Sequence, residues 1–450
     1  MTLVRDVVPL GTAVRTWFLV SLQTFGGPAG QIAVMQRTLV DERRWIGEKR
    51  FLHALNYCML LPGPEAQQLA IYTGWLLNGT LGGLIAGVLF VLPGLLAMLA
   101  LSILYVAQGD TTFVTGLFLG LSPAVLAIVV QAVLRIGTRA LRNRVLVLLA
   151  VAAFLALALF GVPFPLVVLA AGVVGWAVHR WRPALLEVPE RPTPEDDTAP
   201  LISDDALHEA RPSRRRNLLV LGIGVTLWVT PVVLVAIATA GTQSVFLDQG
   251  IFFGGMALVT FGGAYAVLSY VAQAAVQTYG WLTAGEMVRG LALAETTPGP
   301  LIMVVQFVAF LGAYRDPGGL DPWVAGVLAS LLVVWVTFVP CFVFIFLGAP
   351  YVERLRGSQS LAAALTGVTA AVVGVIANLA LFFAVHTLFT ETRTIDRGPV
   401  ELLVPVWSSY VWESFLIGAV AMVLAFRFRW SVLRVLGTCA LLGLALTVLA

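Results

Sequence analysis

Long, continuous apolar segments dominate the chain, and its polar residues collect in short stretches between them. Every position of Val145–Phe160 is apolar, and Leu331–Leu347 is interrupted only by one threonine and one proline. Such runs lack the alternation of outer-membrane strands and predict helices that cross a bilayer. Because lipid offers the backbone no hydrogen-bond partner, the predicted fold class is an all-α polytopic membrane protein. Apolar length predicts about thirteen crossings, near residues 8–30, 52–77, 81–106, 112–134, 145–160, 163–179, 217–240, 249–272, 288–313, 323–348, 360–389, 401–425 and 431–449.

Composition agrees with this pattern. Of the 450 residues, 59% are hydrophobic and 11% are charged, whereas soluble domains carry about 25% charged residues. The surface of a soluble protein needs more polar side chains than this, so much of the surface of this chain must face lipid. We predict a multi-pass protein of the bacterial inner (plasma) membrane, with the lipid bilayer as its surroundings.

The sequence contains no motif for a metal site or for catalysis. Cys58, Cys341 and Cys439 are far apart and form no Cys-x-x-Cys pair, so neither a zinc site nor a disulfide framework is indicated. Zinc-protease, nucleophile-elbow, nucleotide-binding and haem motifs are missing from the sequence. We predict no metal, no cofactor, no nucleic-acid partner and no enzymatic activity. A membrane-embedded enzyme would need a redox site or a nucleophile–base pair, and no motif for either is present.

One long polar stretch, from about Arg180 to Asn217, divides the apolar pattern. It contains six prolines, two acidic clusters and a closing run of three arginines. Such a composition is typical of a disordered linker. We therefore predict an N-terminal membrane half at 1–180, a cytoplasmic linker at 181–216 and a C-terminal membrane half at 217–450.

The two halves are copies of one unit. Three landmarks of the first copy recur after a shift of 236 positions: Phe25-Gly26-Gly27 as Phe261-Gly262-Gly263, Trp45 as Trp281, and Pro62-Gly63-Pro64 as Pro298-Gly299-Pro300. Later landmarks recur after 247 positions, as Pro93 does at Pro340. Internal duplication is a strong structural signal. The apolar segment 217–240 has no partner in the first copy, and one unpaired crossing inverts the second copy relative to the first.

The positions of the basic residues test how the chain is oriented in the membrane. With a cytoplasmic linker, the clusters Arg135–Arg144, Arg354–Arg356 and Arg427–Arg434 all become cytoplasmic, as the positive-inside rule expects. The loop Arg37–Arg50 disagrees, because consecutive crossings would place it outside. Either the Pro62–Pro64 segment is re-entrant, or the loop lies outside because its charge serves function. We favour the inverted arrangement and leave the side of this loop open.

The two Pro-Gly-Pro sequences must interrupt their helices, since each proline removes a donor and clashes with the preceding turn. The broken backbone then faces protein or a watery cavity, and the restarted helix presents free N–H groups that suit an anion. Paired interruptions in two copies predict the central site of a transporter, although a pair of structural kinks is the alternative. Gly26, Gly27, Gly262 and Gly263 allow a bend or close backbone approach, which packing alone also explains. The predicted substrate-binding residues are Gly26, Gly27, Pro62, Gly63, Pro64, Glu65, Gln67, Gly262, Gly263, Arg289, Pro298, Gly299 and Pro300.

Few ionisable residues lie near these breaks. Glu65 follows Pro64 and is either a helix cap or a proton-coupling acid, because carboxylates inside membranes are costly. Glu295 precedes Pro298 by three positions and is a second candidate for proton coupling. His53 is the third candidate, with an interfacial position as the alternative. Arg289 is the residue equivalent to His53, and it either binds an anion or pairs with Glu286.

Several of these stretches resemble a known family. The first copy contains FGGPAGQIAVMQ and DERRWIGEKRFLHALNYCMLLPGPEAQQLAIYTGWLLNGTLGGLIAGVLFVLPGLL, and the second contains FGGAYAVLSYVAQ and TTPGPL. These stretches are similar to the two signatures of the chromate ion transporter family, in its long-chain, two-domain type. The resemblance implies efflux of chromate driven by the membrane potential or a proton gradient, with chromate resistance as the outcome and sulfate as a competing oxyanion. A sulfate or other oxyanion permease and an anion channel are the alternatives, and a homodimer is left open.

Overall fold

The computed structural model describes residues 7–109, 111–183, 201–202, 213–239, 244–261, 263–349, 359–398 and 400–449. Most of the predicted linker therefore lies outside the described residues. Within them the chain is almost entirely helical, which confirms the all-α class.

The first copy contains seven helices, which are α1 (Leu10–Gln23), α2 (Gly27–Gln36, continued by a π-helical turn at Arg37–Glu42), α3 (Glu48–Cys58), α4 (Glu65–Gln108), α5 (Thr112–Ala140), α6 (Arg144–Phe160) and α7 (Phe164–Trp181). The single helix α8 (Arg214–Ala238) follows and has no counterpart in the first copy.

The second copy repeats the helix order of the first with two exceptions. Its elements are α9 (Val245–Val259), α10 (Ala264–Gln273, continued by a π-helical turn at Ala274–Thr278), α11 (Ala284–Thr296), a 3-10 turn (Leu301–Met303) leading into α12 (Val304–Arg315), α13 (Pro322–Gly348), α14 (Gln359–Leu388), β1 (Thr392–Arg397), β2 (Val400–Pro405), a 3-10 turn (Trp407–Ser409), α15 (Trp412–Met422, continued by a π-helical turn at Val423–Arg427) and α16 (Val432–Leu449). Helices α12 and α13 together correspond to the bent helix α4, and a β-hairpin is added. The π-helical turns after α2 and α10 fall at matching positions, so the duplication extends to local backbone geometry.

Seven helices in the described part of the chain are long and apolar enough to cross a membrane: α4, α5, α7, α8, α13, α14 and α16. Four of the predicted apolar segments are each divided into two shorter helices, at 8–30, 52–77, 249–272 and 288–313. Hydropathy alone does not reveal these divisions, because the short segments that connect the paired helices contain no charged residue.

Helix α4 is bent sharply at Asn78 and Gly79. Asn78 has φ −138° and ψ 27°, and Gly79 has φ 62° and ψ −155°. The two arms of the helix then run so close together that a Cβ on Gly74 would lie 2.5 Å from the carbonyl oxygen of Gly82. The side-chain amide of Asn78 donates to the carbonyl of Val8 at 2.6 Å, which ties the bend to the start of α1. The first arm is 65–77, and the second is 80–108.

The predicted crossing at 401–425 is wrong in its first part. Residues Val400–Pro405 form β2, which pairs antiparallel with β1, and helix α15 begins only at Trp412. The run Leu402-Leu403-Val404 is apolar enough to suggest a helix, but strand β1 directly precedes it across a short turn at Gly398. Local hairpin pairing satisfies the backbone here and overrides the apolar run.

The described chain forms two compact units, each of which takes segments from both copies. The first unit comprises Met1–Leu99, Val188–Gly263 and Thr297–Ser358, and the second comprises Ala100–Glu187, Ala264–Thr296 and Gln359–Ala450. The core of the first unit contains Trp17, Phe51 and Phe90, which are fully buried. In the second unit α14 packs against α5, α6 and α7. The linear division at 1–180, 181–216 and 217–450 stays a prediction.

Candidate functional site

Both Pro-Gly-Pro sequences form non-helical loops in the first unit, and the glycine of each is buried. The first Pro-Gly-Pro loop (Pro62–Pro64) separates α3 from α4, and the second (Pro298–Pro300) separates α11 from the 3-10 turn before α12. Gly63 has φ 121° and Gly299 has φ 102°. Only glycine adopts such angles without strain, so the conformation requires the residue found at both positions.

The two loops are held by a reciprocal pair of backbone hydrogen bonds. The N–H of Gly63 donates to the carbonyl of Thr260 at 2.8 Å, and the N–H of Gly299 donates to the carbonyl of Thr24 at 2.9 Å. Thr24 and Thr260 end helices α1 and α9 and are equivalent residues of the two copies. Each copy therefore binds the loop of the other copy, and this exchange is the contact pattern of a twofold relationship.

Each of the two loop glycines, Gly63 and Gly299, also packs closely against a long helix of the other copy. A Cβ on Gly63 would lie 3.0 Å from the Sγ of Cys341, and a Cβ on Gly299 would lie 3.2 Å from the Cα of Gly94. Gly94 and Cys341 directly follow the equivalent prolines Pro93 and Pro340 of the two long helices. The breaks are thus packed against protein rather than lipid, as the freed backbone groups require.

Free backbone N–H groups follow each loop. In α4 the first intrahelical bond of the helix is donated by the N–H of Gln68 to the carbonyl of Pro64 at 3.0 Å. In the second copy the N–H of Met303 donates to the carbonyl of Pro300 at 2.9 Å. The preceding N–H groups of each helix have no intrahelical acceptor and carry the positive end of the helix dipole. Each restart therefore has the electrostatics of an anion site.

Buried amide side chains surround the loops in the first unit. Gln68 donates to the carbonyl of Pro62 at 2.6 Å, and Gln31 donates to the carbonyl of Gly299 at 2.6 Å. Gln306 donates to the carbonyl of Leu95 at 3.0 Å. Sequence reasoning missed Gln31 and Gln306, because a lone glutamine in an apolar helix has no spacing that marks it.

Gln67 differs from these amides. It is fully buried, and neither its Nε2 nor its Oε1 has a hydrogen-bond partner among the described residues. A buried polar group without a partner costs about 1–3 kcal/mol. Gln67 lies in the first turn of α4, directly after the first Pro-Gly-Pro loop. Its unsatisfied amide is the strongest indication of a ligand or ordered water in this part of the molecule.

The second copy does not repeat this chemistry. The residues equivalent to Glu65, Gln67 and Gln68 are Leu301, Met303 and Val304, and all three are buried. Glu65 itself is partly exposed at the first position of α4, where a carboxylate interacts favourably with the helix dipole. The backbone geometry of the two breaks is therefore similar, while their side chains are unequal.

The glycine pairs also lie at breaks. Gly26 (φ 77°) and Gly27 (φ 74°) connect α1 to α2, and Gly263 (φ 94°) precedes α10. Gly262 lies outside the described residues. The bend that these glycines allow exposes the carbonyls of Thr24 and Thr260, which accept the bonds from the two Pro-Gly-Pro loops.

Glu295 and Tyr265 meet in the second unit. The hydroxyl of Tyr265 donates to Oε1 of Glu295 at 2.7 Å. Glu295 is 1% exposed, and its Oε2 has no partner among the described residues. Glu295 could be predicted from the sequence but Tyr265 could not, since the two positions are far apart along the chain.

Arg289 is also in the second unit and contacts aromatic residues. Its Nη1 donates to the hydroxyl of Tyr105 at 3.2 Å, and its guanidinium carbon lies 5.6 Å from the centroid of the Phe118 ring. Glu286 instead accepts from the N–H and the hydroxyl of Thr283, so it caps α11. No carboxylate of the described residues lies within 4.0 Å of Arg289. His53 lies partly buried on α3 in the first unit.

The Arg37–Arg50 loop lies beside the described part of the linker. Ile46 forms a parallel bridge with Ile202. The N–H of Ile202 donates to the carbonyl of Trp45 at 3.1 Å, and the N–H of Gly47 donates to the carbonyl of Ile202 at 3.3 Å. Two segments that bond each other outside the apolar helices belong to the same side of a bilayer, so we expect this loop to share the side of the linker. Of the two explanations for its charge, the pairing favours a re-entrant Pro62–Pro64 segment.

A bundle of apolar helices with paired interruptions in its interior is the architecture of a polytopic membrane transport protein. Residues 12–176 and 247–444 match the model of the chromate transporter family. The chain belongs to this family.

Several curated relatives agree with the match. A chromate transport protein of Pseudomonas aeruginosa is 36% identical over 79% of this chain and 76% of its own length. A chromate transport protein of Cupriavidus metallidurans is 29% identical over 81% of this chain and 80% of its own. A probable chromate transport protein of Synechococcus elongatus is 26% identical over 84% of this chain and 85% of its own. No solved structure matches the chain.

Proposed function

We propose that this protein is a secondary transporter that exports chromate from the cytoplasm across the bacterial inner membrane and so gives chromate resistance. The relatives named above as chromate transport proteins support the substrate, because the match covers most of each chain. The missing nucleotide-binding motif in the sequence supports a gradient rather than ATP as the source of energy.

The unsatisfied amide of Gln67 carries this proposal. Chromate is a tetrahedral dianion whose four oxygens accept hydrogen bonds, and Nε2 of Gln67 is a buried donor that lacks an acceptor among the described residues. The free N–H groups at the start of α4 and the helix dipole add positive potential at the same turn. A dianion that sheds water here regains hydrogen bonds from fixed donors.

The proposed binding residues have distinct roles. In the first unit the prolines and glycines shape the loops and Gln67 donates to the oxyanion. In the second unit, taken by itself, Arg289 supplies a cation that has no carboxylate within salt-bridge distance in the described residues. Glu65 lies at the start of the same helix as Gln67. The full set is Gly26, Gly27, Pro62, Gly63, Pro64, Glu65, Gln67, Gly262, Gly263, Arg289, Pro298, Gly299 and Pro300.

Chromate flux into proteoliposomes with imposed voltage and pH gradients tests the function. We expect saturable flux that responds to the gradients and is inhibited by sulfate, since sulfate offers the same tetrahedral oxygens. The variant Gln67→Met introduces the residue of the second copy, and we expect it to raise the KM for chromate about tenfold, equivalent to about 1.4 kcal/mol. Met303→Leu at the equivalent position of the second copy is the matched control and should keep the wild-type KM.

Four results would contradict parts of this proposal. Wild-type protein without chromate flux would remove the substrate assignment. Flux of sulfate that is faster than that of chromate would favour a sulfate permease, and flux without trans-stimulation would favour a channel. An unchanged KM in Gln67→Met would remove Gln67 from the site. Light scattering of the purified protein tests the homodimer.

A further inference from the structure

We propose that Tyr265 and Glu295 form the proton-binding site of this transporter, and that only the second copy has one. This inference rests on the proposed function and adds the coupling ion to it. Of the three acidic or basic candidates that the sequence offers for coupling, it selects Glu295 over Glu65 and His53.

The geometry of the pair is that of a carboxyl group held for proton exchange. Tyr265 at the start of α10 donates to Oε1 of Glu295 near the end of α11 at 2.7 Å. This bond fixes the orientation of the carboxyl group and leaves Oε2 without a partner in the described part of the chain. Oε2 is therefore the atom that gains and loses the proton.

The surroundings make ionisation costly. Glu295 is 1% exposed, and none of the described cationic side chains lies within 4.0 Å of its carboxyl oxygens. An unpaired carboxylate inside a membrane protein is expensive, and such residues usually serve function. A carboxyl group in this setting binds a proton when the transporter closes around it and loses the proton when water reaches Oε2.

The charged groups on the neighbouring elements are few. Helix α11 packs against α5, α14 and α16. Arg135 of α5 acts electrostatically on Tyr265. The described titratable side chain of α14 is His386, whose ring bonds the carbonyl of Phe382, and those of α16 are Arg434 in the first turn and the buried thiol of Cys439. Arg289 lies on α11 itself, six positions before Glu295.

The first copy contains no equivalent pair. The residues at the positions of Tyr265 and Glu295 are Ala29 and Met59, and both are exposed. Gln67, by contrast, has no polar equivalent in the second copy. The duplication has therefore separated two tasks: the first copy contains the unsatisfied amide, and the second contains the buried acid.

The position of the pair relative to the breaks fits a role in coupling. Tyr265 follows Gly263 by two positions, and Glu295 precedes Pro298 by three. Both segments lead directly into backbone that forms the breaks.

The test measures protons and chromate together. Proteoliposomes with a pH-sensitive dye inside report the proton movement that accompanies chromate flux at clamped voltage, and the sign of the signal gives its direction. The variant Glu295→Gln keeps an acceptor for Tyr265 but binds no proton. We expect the protons moved per chromate to fall about tenfold or more, while exchange of external for internal chromate continues at a reduced rate. Tyr265→Phe should shift the pH profile of the flux without abolishing it.

The controls separate this inference from the proposed function. Glu286→Gln removes a carboxylate from the cap of the same helix and should leave the proton-to-chromate ratio as in the wild type. A wild-type protein that moves chromate without protons, or a Glu295→Gln protein with the wild-type ratio, would overturn the proton site and leave chromate transport standing. Loss of chromate exchange in correctly folded Glu295→Gln protein would also overturn it, because the residue would then serve binding or structure. Wild-type protein without any chromate flux would instead refute the proposed function.

Discussion

Trp228 and Trp335 each bind a carbonyl that a proline has left without its helical partner. The indole N–H of Trp228 on α8 donates to the carbonyl of Val336 at 2.8 Å, four positions before Pro340 on α13. The indole N–H of Trp335 on α13 donates to the carbonyl of Leu227 at 2.7 Å, four positions before Pro231 on α8. Proline has no N–H, so the carbonyl four positions before each proline receives no hydrogen bond from within its own helix. The exchange attaches the unpaired helix α8 to the first unit.

The bond from Trp335 to the carbonyl of Leu227 predicts that a second substitution can restore the stability lost when the bond is removed. Trp335→Phe removes the donor to the carbonyl of Leu227 and should destabilise the protein by about 1–2 kcal/mol. The double variant Trp335→Phe/Pro231→Ala restores an N–H at position 231, which can bond Leu227 within α8, and should recover most of the loss. Thermal unfolding of the detergent-solubilised protein measures both effects. Equal melting temperatures of the single and double variants would show that the carbonyl of Leu227 does not matter for stability.

The helical segments and the breaks could be predicted from the sequence because their causes are local. Apolar length predicts α5, α13 and α14, and proline with glycine predicts the interruptions at Pro62–Pro64 and Pro298–Pro300. The shift of 236 positions predicts that the two loops are equivalent, and the reciprocal bonds from Gly63 and Gly299 agree with it.

The rest depends on contacts between distant parts of the chain. Nothing near Gly63 indicates that its N–H bonds Thr260, and nothing near Glu295 indicates Tyr265. The bend at Asn78 and Gly79 falls between the apolar segments predicted at 52–77 and 81–106, but nothing near it indicates that the amide of Asn78 bonds the carbonyl of Val8. Periodicity describes which residues avoid water, whereas these features depend on which backbone groups find partners.

The glycine of the first Pro-Gly-Pro loop should not tolerate a side chain. In Gly63→Ala the Cβ would lie 2.8 Å from Nε2 of Gln68 and 3.0 Å from Sγ of Cys341, at a positive φ. Strain of this kind costs about 1–3 kcal/mol, so we expect chromate flux to fall about tenfold or more while the protein stays in the membrane. Gly255→Ala on α9 has open space around its Cβ and serves as the control with wild-type flux. Full flux in a stable Gly63→Ala protein would count against a role for the loop geometry.

Arg289 offers a test of the cation in the second unit. Its contacts with Tyr105 and Phe118 hold the guanidinium plane, and lysine cannot reproduce a stacked, planar donor. We expect Arg289→Lys to raise the KM for chromate several-fold and Arg289→Gln to raise it further, because the latter also removes the charge. Tyr105→Phe keeps the charge and should have the smallest effect. Wild-type KM values in all three proteins, measured in proteoliposomes, would assign Arg289 to structure alone.

The bridge between Ile46 and Ile202 predicts the side of the membrane on which the basic loop lies. In a background without the buried native cysteines, Ile46→Cys and Ile202→Cys should form a disulfide on mild oxidation, since paired strand residues have Cα atoms about 5 Å apart and disulfides accept that distance. The control pair Ile46→Cys and Leu320→Cys, with Leu320 in the exposed loop before α13, should remain reduced. A membrane-impermeant thiol reagent added to sealed, right-side-out cells should fail to label Lys49→Cys, an exposed position of the same loop, because a loop that shares the side of a cytoplasmic linker faces the cytoplasm and its arginines then obey the positive-inside rule. Labelling from outside, together with no disulfide between positions 46 and 202, would return the loop to the far side and make the Pro62–Pro64 segment part of a full crossing.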